Sequence, residues 1–157
     1  MTFWFYLSGA SSGVLSIIVK DLKTNETHKT WEYSGLTSLS DQWIYATFGF
    51  YIANPYKIWI QASRSSTNGF VAVDDIFFRE SFFCNVLPPS ASVGESSLTT
   101  LNQYTSKEPF TGIPSEFDCD FESGFCNWNQ LQETNIKWTR QRGNTPSLET
   151  GPTVDHT

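Results

Sequence analysis

Long apolar runs are missing from this chain: no stretch reaches the roughly 18 uninterrupted apolar residues that a membrane-spanning helix requires. No transmembrane segment is therefore expected in this fragment, and an anchor for the parent protein would lie outside it. Basic residues are also scarce, with 10 Lys and Arg against 16 Asp and Glu and a formal charge of -6. Nucleic acid is excluded as a partner, because phosphate-backbone binding rests on clustered Lys and Arg. The acid excess is uneven: residues 1–84 hold seven acids against six bases, and residues 116–157 hold seven against three. Met1–Leu7 is apolar, but it has no preceding basic residue and its Trp4, Phe5 and Tyr6 are bulkier than a secretory leader favours. Met1 is read as an internal residue leading straight into a strand.

Catalytic signatures are absent too. Neither His28 nor His156 is accompanied by a Gly-x-Ser-x-Gly elbow, a His-Glu-x-x-His helix or a phosphate loop. Asp155-His156 reads as a turn feature, since triad members are brought together by the fold and not by adjacency. The expectation is a protein that is not an enzyme.

What is present is a succession of short strands. Phe3–Leu7, Val14–Leu22, Lys29–Tyr33, Trp43–Phe50, Tyr56–Ala62 and Phe70–Arg79 are rich in aromatic and β-branched residues, with Ser-Gly, Thr-Asn, Asn-Pro and Asn-Gly between them. Leu15, Ile17 and Val19 share one face of their strand, as do Trp43, Tyr45 and Thr47, and Tyr56, Ile58, Ile60 and Ala62. No helical period is sustained. An antiparallel all-β chain must stack two sheets to bury its apolar faces, so the fold class is an all-β sandwich or jelly roll. In the last strand Asp74 and Asp75 interrupt an apolar run. Adjacent strand residues point to opposite faces, so at least one of the two must find a partner.

Residues 85–115 differ in character: ten of 31 are Ser or Thr and four are Pro. Such a stretch cannot bury enough apolar area to offset its ordering entropy and reads as a linker. Beyond it, 116–157 opens a new aromatic segment of about 40 residues, too small to fold alone without staples. Three cysteines are an odd number. Cys119 and Cys126 are seven apart across a Gly-containing turn, and the spacing and secreted-type composition suit a structural disulfide. Cys84 is the one left over. Asn25-Glu26-Thr27 is a glycosylation sequon in a polar turn between two strands. Asp120, Glu122 and Asp155 could supply carboxylates to a calcium-type site, but no Asp-x-Asp-x-Asp-Gly loop is present, and Glu122 or Asp155 could equally brace the sheet against Arg140 or Arg142. No cofactor is required.

The run Cys119-Asp120-Phe121-Glu122-Ser123-Gly124-Phe125-Cys126-Asn127-Trp128, with Trp138-Thr139-Arg140 and then Gly151-Pro152-Thr153-Val154-Asp155-His156-Thr157, resembles the opening third of a MAM domain. Phe3-Trp4-Phe5-Tyr6-Leu7-Ser8-Gly9, Trp43, and Ala72-Val73-Asp74-Asp75-Ile76 with Cys84 resemble the closing half of one. The resemblance implies a concanavalin-like jelly roll, incomplete at both ends. Its order is reversed, so 1–84 would be the C-terminal part of a first module, 85–115 a linker and 116–157 the N-terminal part of a second. Cys84 would then be unpaired by truncation, its expected partner falling just before Met1. The resemblance also implies a cation site in some members, with Asp74 and Asp75 serving the first module as Asp120, Glu122 and Asp155 would the second.

The function implied is a non-catalytic adhesion or protein-interaction module of a secreted or membrane-associated extracellular protein with tandem copies, binding a protein partner or its own kind. The alternative is a carbohydrate-binding jelly roll accessory to a secreted enzyme. A coplanar row of exposed Trp or Tyr rings would favour the sugar reading, and buried rings the interaction reading. A flexible chain of 31 residues spans about 30 Å. The C-terminal segment has the reach to fold back onto the first and imitate a permuted single domain.

Overall fold

The computed structural model describes residues 1–8, 13–35, 42–63, 70–79, 85–91, 114–144 and 151–156. Cys84 and most of the Ser/Thr/Pro-rich stretch lie outside them. Six strands form among the described residues: β1 (Thr2–Ser8), β2 (Val14–Asp21), β3 (Thr27–Ser34), β4 (Ile44–Thr47), β5 (Tyr56–Ser63) and β6 (Phe70–Phe77). They make two antiparallel sheets, ordered β4-β1-β6 and β3-β2-β5. The all-β sandwich expected from the alternation is the fold observed. Each of the six expected strands is present, and only the fourth shortens markedly, ending at Thr47 before Phe48–Phe50.

Between the sheets lie the inward residues of both central strands. Phe3, Phe5 and Leu7 of β1 face Leu15, Ile17 and Val19 of β2, all at most 1% exposed. Trp31 joins the two layers. Its ring meets Phe3 edge-on at 5.0 Å and Phe5 at 5.3 Å, and its indole N–H donates to the Leu87 carbonyl at 3.1 Å. A buried indole needs such a partner, and here the partner comes from the start of the stretch read as linker. Leu87 also bridges Thr47, and Ala91 is buried in the core. Residues 85–91 therefore pack on the sandwich, because Val86, Leu87 and Ala91 are apolar enough to be drawn in.

β1 is covered on both faces, which accounts for its unbroken apolar run. Its outward Trp4 and Tyr6 meet Tyr45 and Trp43 at 5.3 and 6.0 Å. Trp43, Tyr45 and Thr47 thus belong to the outer face of β4, whereas the inward residue is the fully buried Ala46, paired with Phe3.

The described residues of the C-terminal segment dock on this sandwich without contributing a paired strand. Ile76 and Cys119 exchange two backbone hydrogen bonds of 2.8 and 2.9 Å. Arg79 and Asp118 form an ion pair at 3.0 Å, and Asp118 also accepts the Phe78 N–H at 2.6 Å. Phe78 packs between Phe117 and Trp128, and Phe121, Trp128 and Trp138 lie half-buried against the core. Cys119 and Cys126 are disulfide-bonded, with Cα atoms 5.8 Å apart.

Covering is uneven across the sandwich. In β2, Leu15, Ile17 and Val19 are fully buried, yet their β5 partners Ala62, Ile60 and Ile58 are only half-buried. Val71 and Val73 of β6 are half-buried as well. A cleft of about 680 Å³ opens there, floored by these side chains and walled by Phe121, Trp128 and Trp138.

Candidate functional site

The polar residues that converge do so at the junction of β6 with the chain end. Asp74 and Asp75 are 5% and 8% exposed, so both carboxyl groups are buried. Strict alternation would send one of them into the apolar core. The chain avoids this with a β-bulge. Thr2 pairs with Phe77 and Trp4 with Asp74, so Asp75 and Ile76 together oppose Phe3 alone. Asp75 takes the left-handed backbone conformation, φ +49°. Asp and Asn adopt that region more readily than other non-glycine residues. The extra residue corrects the sequence expectation of opposite faces: both carboxyl groups come to the same place, and Ile76 turns inward, fully buried.

Into this place comes the segment 151–156. His156 Nδ1 hydrogen-bonds Asp75 Oδ2 at 2.7 Å, and its ring stacks on Trp4 with centroids 4.0 Å apart. The Trp43 ring meets the same imidazole edge-on at 6.0 Å, and its indole N–H donates to the Val154 carbonyl at 3.2 Å. Asp74, Asp75 and His156 have ligating atoms all within 4.8 Å of one another. The imidazole is thus held by Asp75, Trp4 and Trp43, which makes it a clasp between the first and last parts of the chain.

Asp74 sits deepest. Burial raises its carboxyl group to about 7, the neighbouring Asp75 charge and a hydrogen bond with Asp155 push the same way, and the Asp75 N–H donated to its Oδ1 at 2.9 Å pulls against them. Two carboxyl groups share a hydrogen bond only when one keeps its proton, and the more buried Asp74 keeps it. Asp155 also accepts its neighbour's backbone N–H from His156 at 3.0 Å.

The other carboxylates singled out in the sequence have local partners. Glu122 pairs with Arg142 at 2.8 Å, and Asp120 accepts the Glu122 N–H at 3.1 Å, closing a turn inside the disulfide loop. Among the described residues, Asp120 and Glu122 join no grouping of potential metal ligands, whereas His156, read from sequence as a turn feature, does. The sequence signal for it was slight: one histidine beside an aspartate, 81 residues from its partner. Asn25 sits exposed in the β2–β3 turn with φ +64°. Asp21 builds that turn, accepting the N–H groups of Lys23 and Thr24 at 2.7 and 2.9 Å and the Asn54 amide at 2.8 Å. The Asn54 bond first, and the turn N–H groups with it, hold the Asp21 carboxyl below the usual range.

The family model for the MAM domain, meprin/A5/mu, matches residues 1–84 and 119–157. The chain belongs to the MAM domain family. Both halves of the clasp fall in matched regions, Trp4, Asp74 and Asp75 in the first and Asp155 and His156 in the second. The chain is 28% identical over 148 residues to MAM domain-containing protein 2 of Homo sapiens, an alignment covering 93% of this chain and 18% of that protein. A MAM chain of this length thus spans under a fifth of the curated relative it matches. No solved structure matches it.

The proton on Asp74 gives the fold a pH dependence of definite sign. Unfolded, Asp74 ionises near its ordinary value; folded, it holds its proton to about 7. Between those two values the folded state binds the extra proton, so this group's stabilisation is complete at acid pH and lost as pH rises to about 7, at up to about 1.4 kcal/mol per unit. Replacing Asp74 with Asn should flatten that part of the profile in urea titrations from pH 4 to 8. An unchanged slope in the variant would refute this account of Asp74.

Proposed function

We propose that this chain is a non-catalytic adhesion or protein-interaction unit of an extracellular protein, secreted or membrane-associated, that carries MAM domains in tandem. In this reading residues 1–84 close one module and 116–157 open the next, with 85–115 between them. The observation that carries it is how the reactive and aromatic groups are used. The converging carboxyl and imidazole groups satisfy one another across the junction of the two matched regions, which makes them structural ties. Not one of the six Trp is exposed. Tyr51 is 88% and Tyr45 41% exposed, and the Tyr45 ring meets Trp4 at an interplanar angle of 60°, so those two rings are not coplanar. A flat aromatic row of the kind that receives sugar rings is absent among the described residues, which favours a protein partner over a glycan.

The test is binding of the purified chain to intact cells. Capture should be abolished by protease treatment of the cells and indifferent to prior glycosidase treatment. The reverse pattern would establish the carbohydrate reading instead. Made in a secretory host, the chain should carry a glycan at Asn25, read as a mass loss on glycosidase digestion that the Asn25→Gln variant does not show.

The cation implied by the resemblance belongs, in this reading, at Asp74, Asp75 and Asp155. Hard cations take oxygen ligands; Asp74 and Asp75 converge beside His156, and Asp155 adds a third carboxyl group through its hydrogen bond with Asp74. A calcium ion would substitute for the proton that now relieves the crowded charge. Millimolar calcium at pH 8 should then raise the melting temperature, and the Asp74→Asn chain should not respond; equal melting of the native chain with calcium and with chelator counts against the site.

A further inference from the structure

The C-terminal segment holds together by its own bonds. Besides the Cys119–Cys126 disulfide, Trp128 donates from its indole to the Phe117 carbonyl at 3.0 Å and from its backbone to Phe125 at 2.8 Å. Arg142 and Arg140 both reach back to the Glu122 carbonyl. Phe121 and Trp138 of the segment pack half-buried against the core, and its described hydrogen bonds and ring contacts with the sandwich gather into two grips. One joins Phe117–Cys119 and Trp128 to the end of β6, and the other joins Val154–His156 to the outer face of β1 and β4. Neither grip depends on which chain supplies the segment. Between Ala91 and Pro114 the sequence provides 22 residues, so attachment to the same chain competes only with a finite local concentration, about millimolar for a short connection.

We propose that the C-terminal segment is an exchangeable element, and that 114–144 and 151–156 of one chain dock on the sandwich of a second copy while the second returns its own. This rests on the reading of the chain as a tail and a head of successive modules. Exchange recreates every contact already described, including the Asp118–Arg79 ion pair and the seat of His156 between Asp75 and Trp4. It needs no new complementary surface, which is why swapping an identical element is an economical route to a dimer. The site then becomes composite, with Asp74 and Asp75 from one chain and Asp155 and His156 from the other.

Two full-length variants test this. One weakens the receiving face with Trp4→Ala and Arg79→Ala; the other weakens the docking segment with Asp118→Ala and His156→Ala. Neither retains an intact pair of grips, but a mixed dimer has one complete set, formed by the segment of the first on the face of the second. Mixed samples should therefore associate about tenfold more tightly than either variant alone, read by light scattering on a size-exclusion column and by co-capture of differently tagged chains. Absence of mixed association from two folded variants overturns the proposal. Should the variants fail to fold, two differently tagged native chains decide it: co-capture and a doubled mass at high concentration support exchange, and a single-chain mass throughout overturns it. Cell binding by a strictly single chain would leave the interaction function standing and remove only the exchange.

Discussion

Two adjacent carboxyl groups cannot both leave the core of a sheet while the strand keeps its alternation. That constraint governs the lower half of this molecule. The left-handed turn of the backbone at Asp75 resolves it, placing both acids outside while Ile76 drops back beside Phe3 to complete the core. Once outside, the pair cannot remain as two bare charges in a buried position. One keeps its proton and hydrogen-bonds Asp155; the other takes the imidazole of His156. The docking of the chain's last residues is thus a consequence of a local backbone choice 81 residues earlier.

The apolar interior follows a different logic, centred on Trp31. Its indole packs between the two central strands, and the inward residues of β1 and β2 reach complete burial. Among the described residues nothing comparable closes the side bounded by β5 and β6. There the same inward alternation is present in Ile58, Ile60 and Ala62, but the segment that lies opposite is an irregular, disulfide-bonded one whose aromatic rings cover them incompletely. The fold is well determined along one flank and open along the other.

Most of the strand architecture was legible in the sequence, because alternation and turn chemistry are local signals. Leu15, Ile17 and Val19 announced an inward face, and they are fully buried. The Cys119–Cys126 spacing announced the disulfide. The bulge was not legible, since an aspartate in an apolar strand carries no mark of the φ it will adopt. The acid-rich C-terminal segment drew attention to Asp120, Glu122 and Asp155, although Asp120 and Glu122 serve their own turn and the groups that converge are Asp74, Asp75 and the distant His156. Trp43, Tyr45 and Thr47 formed a true face, but the burial of Ala46 between them shows that it is the outer one.

The two grips on the C-terminal segment also differ in how they would bear load. A pull transmitted along the chain through Pro114 reaches Asp118 within four residues, so the Arg79 ion pair and the two backbone bonds of the Ile76–Cys119 bridge carry it first. His156, wedged between Trp4 and Asp75 at the other end of the segment, would be the first contact reached by a pull from the C-terminal side. The order in which the two grips open would therefore be set by the side from which the pull comes.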